Sequence, residues 1–335
     1  MGKTKKTSPV FWLIGTAGLF GCFLFSLFMG RFTVAPAEVL QALKKVLTGQ
    51  EAEGIQQSVV IGIRLPRTLM AMLVGAGLSV SGAAFQGLFQ NPLVSPDVLG
   101  VSSGAALGAV IGILLAGYDY TAMTLAFAFG VATVLITYAL SRLNGKSTVL
   151  SLVLGGMITS ALMNACISLC KYAADPVEKL PAITYWLMGS FSSANYALLK
   201  LVCLPVLAGI AIIFALRWRI NVLSLGDEEC MALGIRPGFT RGLIIFASTM
   251  ITAACVMATG IIGWVGLVIP HITRMLVGVD HKYQIPGTVL LGAIFMTLVD
   301  VASRTMLAAE IPIGVLTALI GAPFFAVVYR KKGLS

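Results

Sequence analysis

Charge is too scarce in this sequence to cover a water-facing surface. Only 11% of its 335 residues are Asp, Glu, Lys or Arg, and 58% are hydrophobic, whereas a soluble domain carries about 25% charged residues. The solvent around most of such a chain must itself be apolar. In a bilayer every backbone N–H and C=O has to be satisfied inside the chain, which leaves helices or a closed barrel as spanning structures. Long uninterrupted apolar runs select helices over the alternating pattern of a barrel strand.

A spanning helix needs about 20 largely apolar residues. The sequence predicts ten spans, at 10–30, 62–86, 95–115, 121–141, 148–170, 196–217, 240–260, 262–277, 284–307 and 312–329. The third and eighth are weak, broken by Gly, Pro or polar residues. The expected fold class is therefore an all-α polytopic transmembrane bundle, with residues 1–335 forming one membrane domain. The first run is not read as a cleaved leader, because Val10–Gly30 is longer than a signal-peptide core and Pro36 is poorly placed for cleavage.

An even number of spans puts both termini on one side. That side carries Lys3, Lys5, Lys6, Arg142, Lys146, Arg217, Arg219, Arg236, Arg241, Arg274, Lys282, Arg330, Lys331 and Lys332, fourteen basic residues against nine on the other. The positive-inside rule makes it cytoplasmic, in a cell membrane. The net charge of +10 is spread between apolar runs and not clustered with aromatics, so it does not point to nucleic acid.

Gly100, Gly104, Gly108 and Gly112 recur every fourth residue on one helix face. Such a stripe suits close helix packing in lipid more than a pore lining. The six cysteines form no CxxC; Cys166 and Cys170 share a face and are read as packing residues.

Gly145-Lys146-Ser147-Thr148 looks like the end of a nucleotide-binding loop, but Leu140 stands where that loop requires Gly, and spanning helices flank it. Any ATPase must be a separate chain. His271 and His281, the two histidines, are placed at the cytoplasmic ends of spans and read as interfacial hydrogen-bonding groups. No metal cluster, paired-carboxylate site or nucleophile triad is evident, so no catalytic role, metal or cofactor is expected in this chain. Asp300 and Arg304 are the charges read as intramembrane, and as i and i+4 they can neutralise each other. A carrier coupled to an ion gradient needs an ion-binding group at the midplane, and none is assigned here.

The connector Asn221–Phe239 reads as a short surface helix. Asp227 suits its N-cap, Glu228 and Glu229 its first turn, Gly234 its end, and Pro237 follows. Leu223, Leu225, Met231, Leu233 and Ile235 add apolar knobs suited to docking another protein. On the other side, Arg64 and Arg67 flank Pro66 at the start of the second span, where positive charge opposes the helix dipole, and Arg304 lies near the outer end of the ninth span. Three such arginines suggest an acidic partner; pairing with Asp300, Glu310 or lipid phosphate is the alternative.

Arg64-Leu65-Pro66-Arg67, Ser81-Gly82 to Gln86, Asn91-Pro92-Leu93, Tyr185-Trp186-Leu187-Met188-Gly189, the run Gly260–Arg274 (GIIGWVGLVIPHITR), Asp300 with Arg304, Glu310-Ile311-Pro312-Ile313-Gly314, Thr317 and Gly321-Ala322-Pro323 together resemble the FecCD family of ABC importer permeases. That family handles ferric siderophores, haem and cobalamin, and the resemblance covers nearly the whole chain in order. It implies a type II importer permease working as a homodimer, or as a heterodimer with a relative. The pathway would run along the dimer axis, lined by the fifth and tenth spans. A cytoplasmic ATPase pair would grip Leu223–Gly238, including Asp227, Glu228 and Gly234. An extracytoplasmic binding protein would dock on Arg64, Arg67 and Arg304. Ser147 and Thr148 would stand at the inner gate. ATP would be consumed by the partner subunit, and the cargo would be a metal chelate, with an oxyanion such as molybdate as the alternative.

Overall fold

The structure, a computed structural model, describes residues 9–50, 53–117, 119–142 and 149–332. It consists of helices and their connections. In chain order these are α1 (Pro9–Phe28), α2 (Pro36–Thr48), α3 (Gly54–Val59), α4 (Leu65–Leu88), α5 (Val101–Ala116), α6 (Tyr120–Ser141), α7 (Val149–Ala173), α8 (Lys179–Met188), α9 (Tyr196–Leu223), α10 (Asp227–Ala232), α11 (Pro237–Thr259), α12 (Val265–Val277), α13 (His281–Thr305) and α14 (Ile313–Lys332).

Each expected span is met by a helix. Among the described residues seven helical stretches are long and apolar enough to cross a membrane, and Val101–Ala116, Val265–Val277 and Ile313–Val328 are shorter apolar helices. The shortness of α5 has a cause. Residues 89–100 fold back into the bundle, and a side chain at Gly266 of α12 would lie 2.6 Å from the Pro96 ring. A 3-10 turn, Pro96–Leu99, then leads into α5. Span ends are fixed by capping side chains: Asp119 accepts from the Thr121 N–H, Asn195 from Leu198 and Asp280 from Lys282.

The second span departs from the expected one. Helix begins at Gly54, and α3 runs into α4 through a π turn, Val60–Arg64. Pro66 is therefore not in a first helical turn but inside a 35-residue helical stretch. In a π turn the carbonyl of Ile61 looks to the N–H of residue 66, and proline has none. The Tyr196 hydroxyl supplies the missing donor at 2.6 Å. The positive-charge-against-dipole argument for Arg64 and Arg67 is corrected accordingly, since neither lies at a free helix start.

Helices α2 and α8 were not anticipated. Pro36 at the start and Gly49 in the left-handed region at the end bound α2, the Pro-first, Gly-last asymmetry of a helix.

Two ends of the bundle are defined by cross-contacts. At one, the α8 face, Arg31 reaches the Arg304 and Leu307 carbonyls, Lys179 reaches Leu114 O, and Ile313 N–H donates to Gly189 O. At the other, the α10 face, Gln90 donates to Leu223 O and Asn221 donates to Asp280.

The core centres on α4, whose spanning window is 83% buried, and small residues let its neighbours approach. A Cβ on Gly75 would lie 2.2 Å from Gly292 O on α13, and one on Gly82 would lie 1.8 Å from Gly266 O on α12. Three of the four glycines of the expected stripe behave the same way, while Gly100, at φ 82°, precedes the helix. A Cβ on Gly104, Gly108 or Gly112 would meet Thr133 Oγ1 at 2.1 Å, Leu125 O at 2.2 Å and Ala122 Cα at 2.4 Å, so this face packs α5 on α6. Cys166 and Cys170 pack half-buried against the core.

Gly82→Ala is therefore expected to cost about 1–3 kcal/mol of overpacking strain, lowering the thermal unfolding midpoint in detergent. Gly21→Ala on α1, where nothing lies within 4 Å of the new methyl, should leave the midpoint unchanged.

Candidate functional site

At the α8 face four charged side chains form one network. The Arg67 Nε donates to Asp300 Oδ1 at 2.8 Å, while its two Nη atoms fork onto Glu310 at 2.9 and 3.0 Å. Arg304 Nε stands 3.2 Å from Asp300 Oδ2, an ion pair without hydrogen-bond alignment. Arg304 also donates to Met29 O at 3.0 Å, Ser26 O at 2.7 Å and Ser26 Oγ at 2.6 Å. Arg64 donates to the carbonyls of Leu27 and Phe28, which are among those left open where α1 ends, and to Phe32 O in the connection that follows. The neutralisation of Asp300 by Arg304 is as expected; Arg67 and Glu310 extend it.

The arrangement corrects the expectation that Arg64, Arg67 and Arg304 offer free charge to an acidic partner. Their relative exposures are 3%, 6% and 5%, and their donors are spent within the chain. An unpaired guanidinium in a membrane bundle is costly, so these side chains turn inward onto carboxylates and carbonyls. Glu310, in the connection before α14, is the exposed edge of the network. Burial pushes its carboxyl up, but the Arg67 fork and the neighbouring guanidiniums outweigh this and hold it below the usual range.

Beside Glu310 a cavity of about 490 Å³ opens at this face, lined by Tyr185, Trp186, Ser190, Ser192, Thr259 and Pro312 among others. Its rim is tied together by backbone bonds, Ser190 N–H to Thr259 O at 2.8 Å and Ile313 N–H to Gly189 O at 2.9 Å. The Tyr185–Gly189, Gly260–Arg274 and Glu310–Gly314 runs thus meet in space.

At the opposite face, α10 is the expected connector helix, six residues long. Its start differs from the reading. Gly226, with φ 124°, is the capping position, and Asp227 is the first helical residue, with its carboxylate forked onto Arg241 at 2.6 and 3.1 Å. Its end agrees: Gly234 has φ 74°, Gly234 N–H donates to Met231 O and Ile235 N–H to Cys230 O, a Schellman termination. Leu225, Met231 and Leu233 are 55–60% exposed, and Glu228 is exposed too. Leu223 and Ile235 are corrected: both are buried beside Cys230 and anchor α10, so they are not free knobs. Phe239, 67% exposed, is an apolar knob the reading did not single out.

Ser147 and Thr148 lie outside the described residues. Helix α7, the fifth span, exposes Leu154, Met157, Ile158 and Leu162, and α14, the tenth, exposes Val315, Leu319, Ile320 and Val327. The histidines differ from each other. His281 starts α13, its N–H and Nδ1 both on Asn221 Oδ1 at 3.0 and 2.7 Å. His271 is corrected to mid-helix, edge-on to Phe324 and tilted against Phe325 of α14 with centroids 6.1 and 5.8 Å away. The inventory of intramembrane charge is also corrected. Asp97, inside the third expected span, lies in the turn before α5 and accepts from the Ser102 hydroxyl. Among the described residues no metal-ligating cluster is found.

Against known proteins, the model of the FecCD transport family matches residues 18–331. The molybdate import system permease protein MolB of Haemophilus influenzae is 44% identical over 308 residues, 92% of this chain and 91% of that one. A probable iron chelatin transport system permease protein of Helicobacter pylori (strain 26695) is 39% identical, over 82% of this chain and 84% of that one. A solved structure described as an inward-facing conformation of a metal-chelate type ABC transporter superposes with a TM-score of 0.87 at 41% identity, covering 97% of this chain and 100% of that chain.

Two outcomes follow for the charge network. Arg67→Ala strands Glu310 and leaves buried Asp300 to Arg304 alone, and should destabilise the fold by about 3–5 kcal/mol, read as thermal unfolding in detergent; Arg67→Lys, which cannot fork, should recover only part. Glu310 has a lowered folded pKa, so its contribution is present above the ordinary carboxylate range and is lost as pH falls through that lowered value. The stability gap between wild type and Glu310→Gln should accordingly close on acidification, as measured by melting across a pH series.

Proposed function

This chain belongs to the FecCD transport family and is an ABC importer permease, and from that premise we propose that it moves a metal chelate across the cytoplasmic membrane, driven by a separate ATPase. The observation that carries the coupling side of this reading is α10. It sits at one end of the bundle with its anchor residues buried and Leu225, Met231 and Leu233 turned outward beside the acidic first turn. Exposed apolar knobs on a short capped helix, at the aqueous end of a membrane protein, fit a groove in a soluble subunit. In this reading the α10 face and both termini are cytoplasmic.

The α8 face is then extracytoplasmic and receives a binding protein. Its network balances Arg67 and Arg304 against Asp300 and Glu310, and Arg64 beside it adds a third positive group. Arg31 adds another positive charge at this face. The excess supports long-range attraction of an acidic partner, although the guanidiniums themselves are buried. Two copies of the chain, or this chain and a relative, would meet across the open apolar faces of α7 and α14, with the pathway between them.

A second cargo, molybdate, is favoured by one observation, the 44% identity to the Haemophilus influenzae permease named for it. Uptake of radiolabelled ferric chelate against radiolabelled molybdate, by vesicles holding the permease, binding protein and ATPase, separates the two. Accumulation driven by a proton or sodium gradient without the ATPase would overturn the permease reading.

Leu233→Asp places a carboxylate on the docking knob. The variant is expected to insert normally and to lose co-purification of the ATPase subunit; normal co-purification removes α10 from the coupling role.

A further inference from the structure

We propose that the Asp227–Arg241 ion pair makes α10 and α11 one rigid body, and so carries motion of α10 to the far face of the membrane domain. This rests on the reading of α10 as the ATPase-docking helix.

The geometry has two attachments and one hinge. The chain passes from α10 to α11 through Leu233–Arg236. Within that link Gly234 adopts φ 74°, and nothing lies within 4 Å of where its side chain would be. A glycine in open space is a pivot. Cys230 and Ile235 anchor one side of α10 in the core; about that anchor and Gly234 its outer side could rock toward the cavity of about 710 Å³ that lies between Met231, Tyr138, Val149 and Gly238. The fork closes the triangle. Asp227 stands at the opposite end of α10 from Gly234, and Arg241 stands one turn into α11. The guanidinium gives its described hydrogen bonds to this one carboxylate, at 2.6 and 3.1 Å, and its Nε is buried with no hydrogen-bond partner. A forked arginine–carboxylate pair fixes orientation as well as distance. A half-exposed pair of this kind adds little to stability, and its value here is geometric.

The rod it drives is α11. Its 23 residues span about 34 Å at 1.5 Å per residue, and from Ile244 to Thr259 nearly every residue is buried. At its far end Thr259 O accepts the Ser190 N–H, and Gly189 O accepts the Ile313 N–H that opens α14. There is no slack at that joint, because a Cβ on Gly260 would lie 2.1 Å from Trp186 O. Displacement of α10 is thus delivered, through packed elements, to the rim of the cavity and the start of α14.

The test uses the permease–ATPase complex in nanodiscs. Ser192→Cys, exposed at the cavity rim, is labelled with a charged maleimide, and the protein without this cysteine serves as the blank. In the parent, ATP with vanadate should change the labelling rate. Arg241→Gln should keep the ATPase bound and hydrolysing ATP, yet shrink that nucleotide response by roughly 2- to 30-fold, the range of coupling changes seen for mutations along a network. Arg241→Lys, which keeps the charge but cannot fork onto Asp227, should do the same, and stands in if Arg241→Gln does not assemble. A full nucleotide response in either assembled variant overturns the proposal. A parent that binds no ATPase, or shows no nucleotide response, instead overturns the reading of α10 on which it rests.

Discussion

How closely other backbones can approach α4 sets the rest of this fold. Lipid tails are as apolar as the side chains they touch, so helices gain little by hiding Leu from solvent; close packing and satisfied polar groups hold them together. Gly75 against Gly292 and Gly82 against Gly266 bring α13 and α12 within backbone contact of α4. The fold-back segment 89–100 follows from the same economy, since Pro96 fills the notch at Gly266. A bundle so close-packed transmits displacement instead of absorbing it.

Charge is then handled locally. Pro66 breaks the helical ladder, the π turn takes up the break, and Tyr196 satisfies the carbonyl left over. That turn ends at Arg64, with Arg67 one helical turn on, and both side chains end up facing the bundle. One carboxylate on α13 and one before α14 meet Arg67, while the end of α1 is capped by Arg64 and Arg304. A single network therefore ties α1, α4, α13 and the entry of α14 at the α8 face.

The two ends of the bundle are built differently. At the α8 face buried ion pairs and backbone bonds hold fixed partners. At the α10 face a short helix is anchored by Leu223, Cys230 and Ile235 and presents its other side to water. One end is thus a stiff frame, and the other carries a helix with a free apolar side.

Much of this was legible in the sequence. Scarce charge and ten apolar runs determined a helical membrane bundle, because lipid leaves the backbone no other open-ended solution. The Gly104–Gly112 spacing determined a packing face, and Gly234 with Pro237 determined where α10 stops, since both act through local backbone chemistry. What the sequence left open was decided by contacts between residues far apart in the chain. It could not say whether Arg64, Arg67 and Arg304 face a partner or Asp300 and Glu310. Arg67 and Glu310 are 243 positions apart, and only packing shows that they meet. Nor could it say which knobs of the connector are anchors: Leu223 and Leu225 look alike in composition, and burial alone separates them. Asp97 stands in the third apolar run, but its place in a turn outside α5 depends on a notch in α12. Local propensity is written residue by residue, whereas the direction of a side chain is set by whatever the fold brings opposite it.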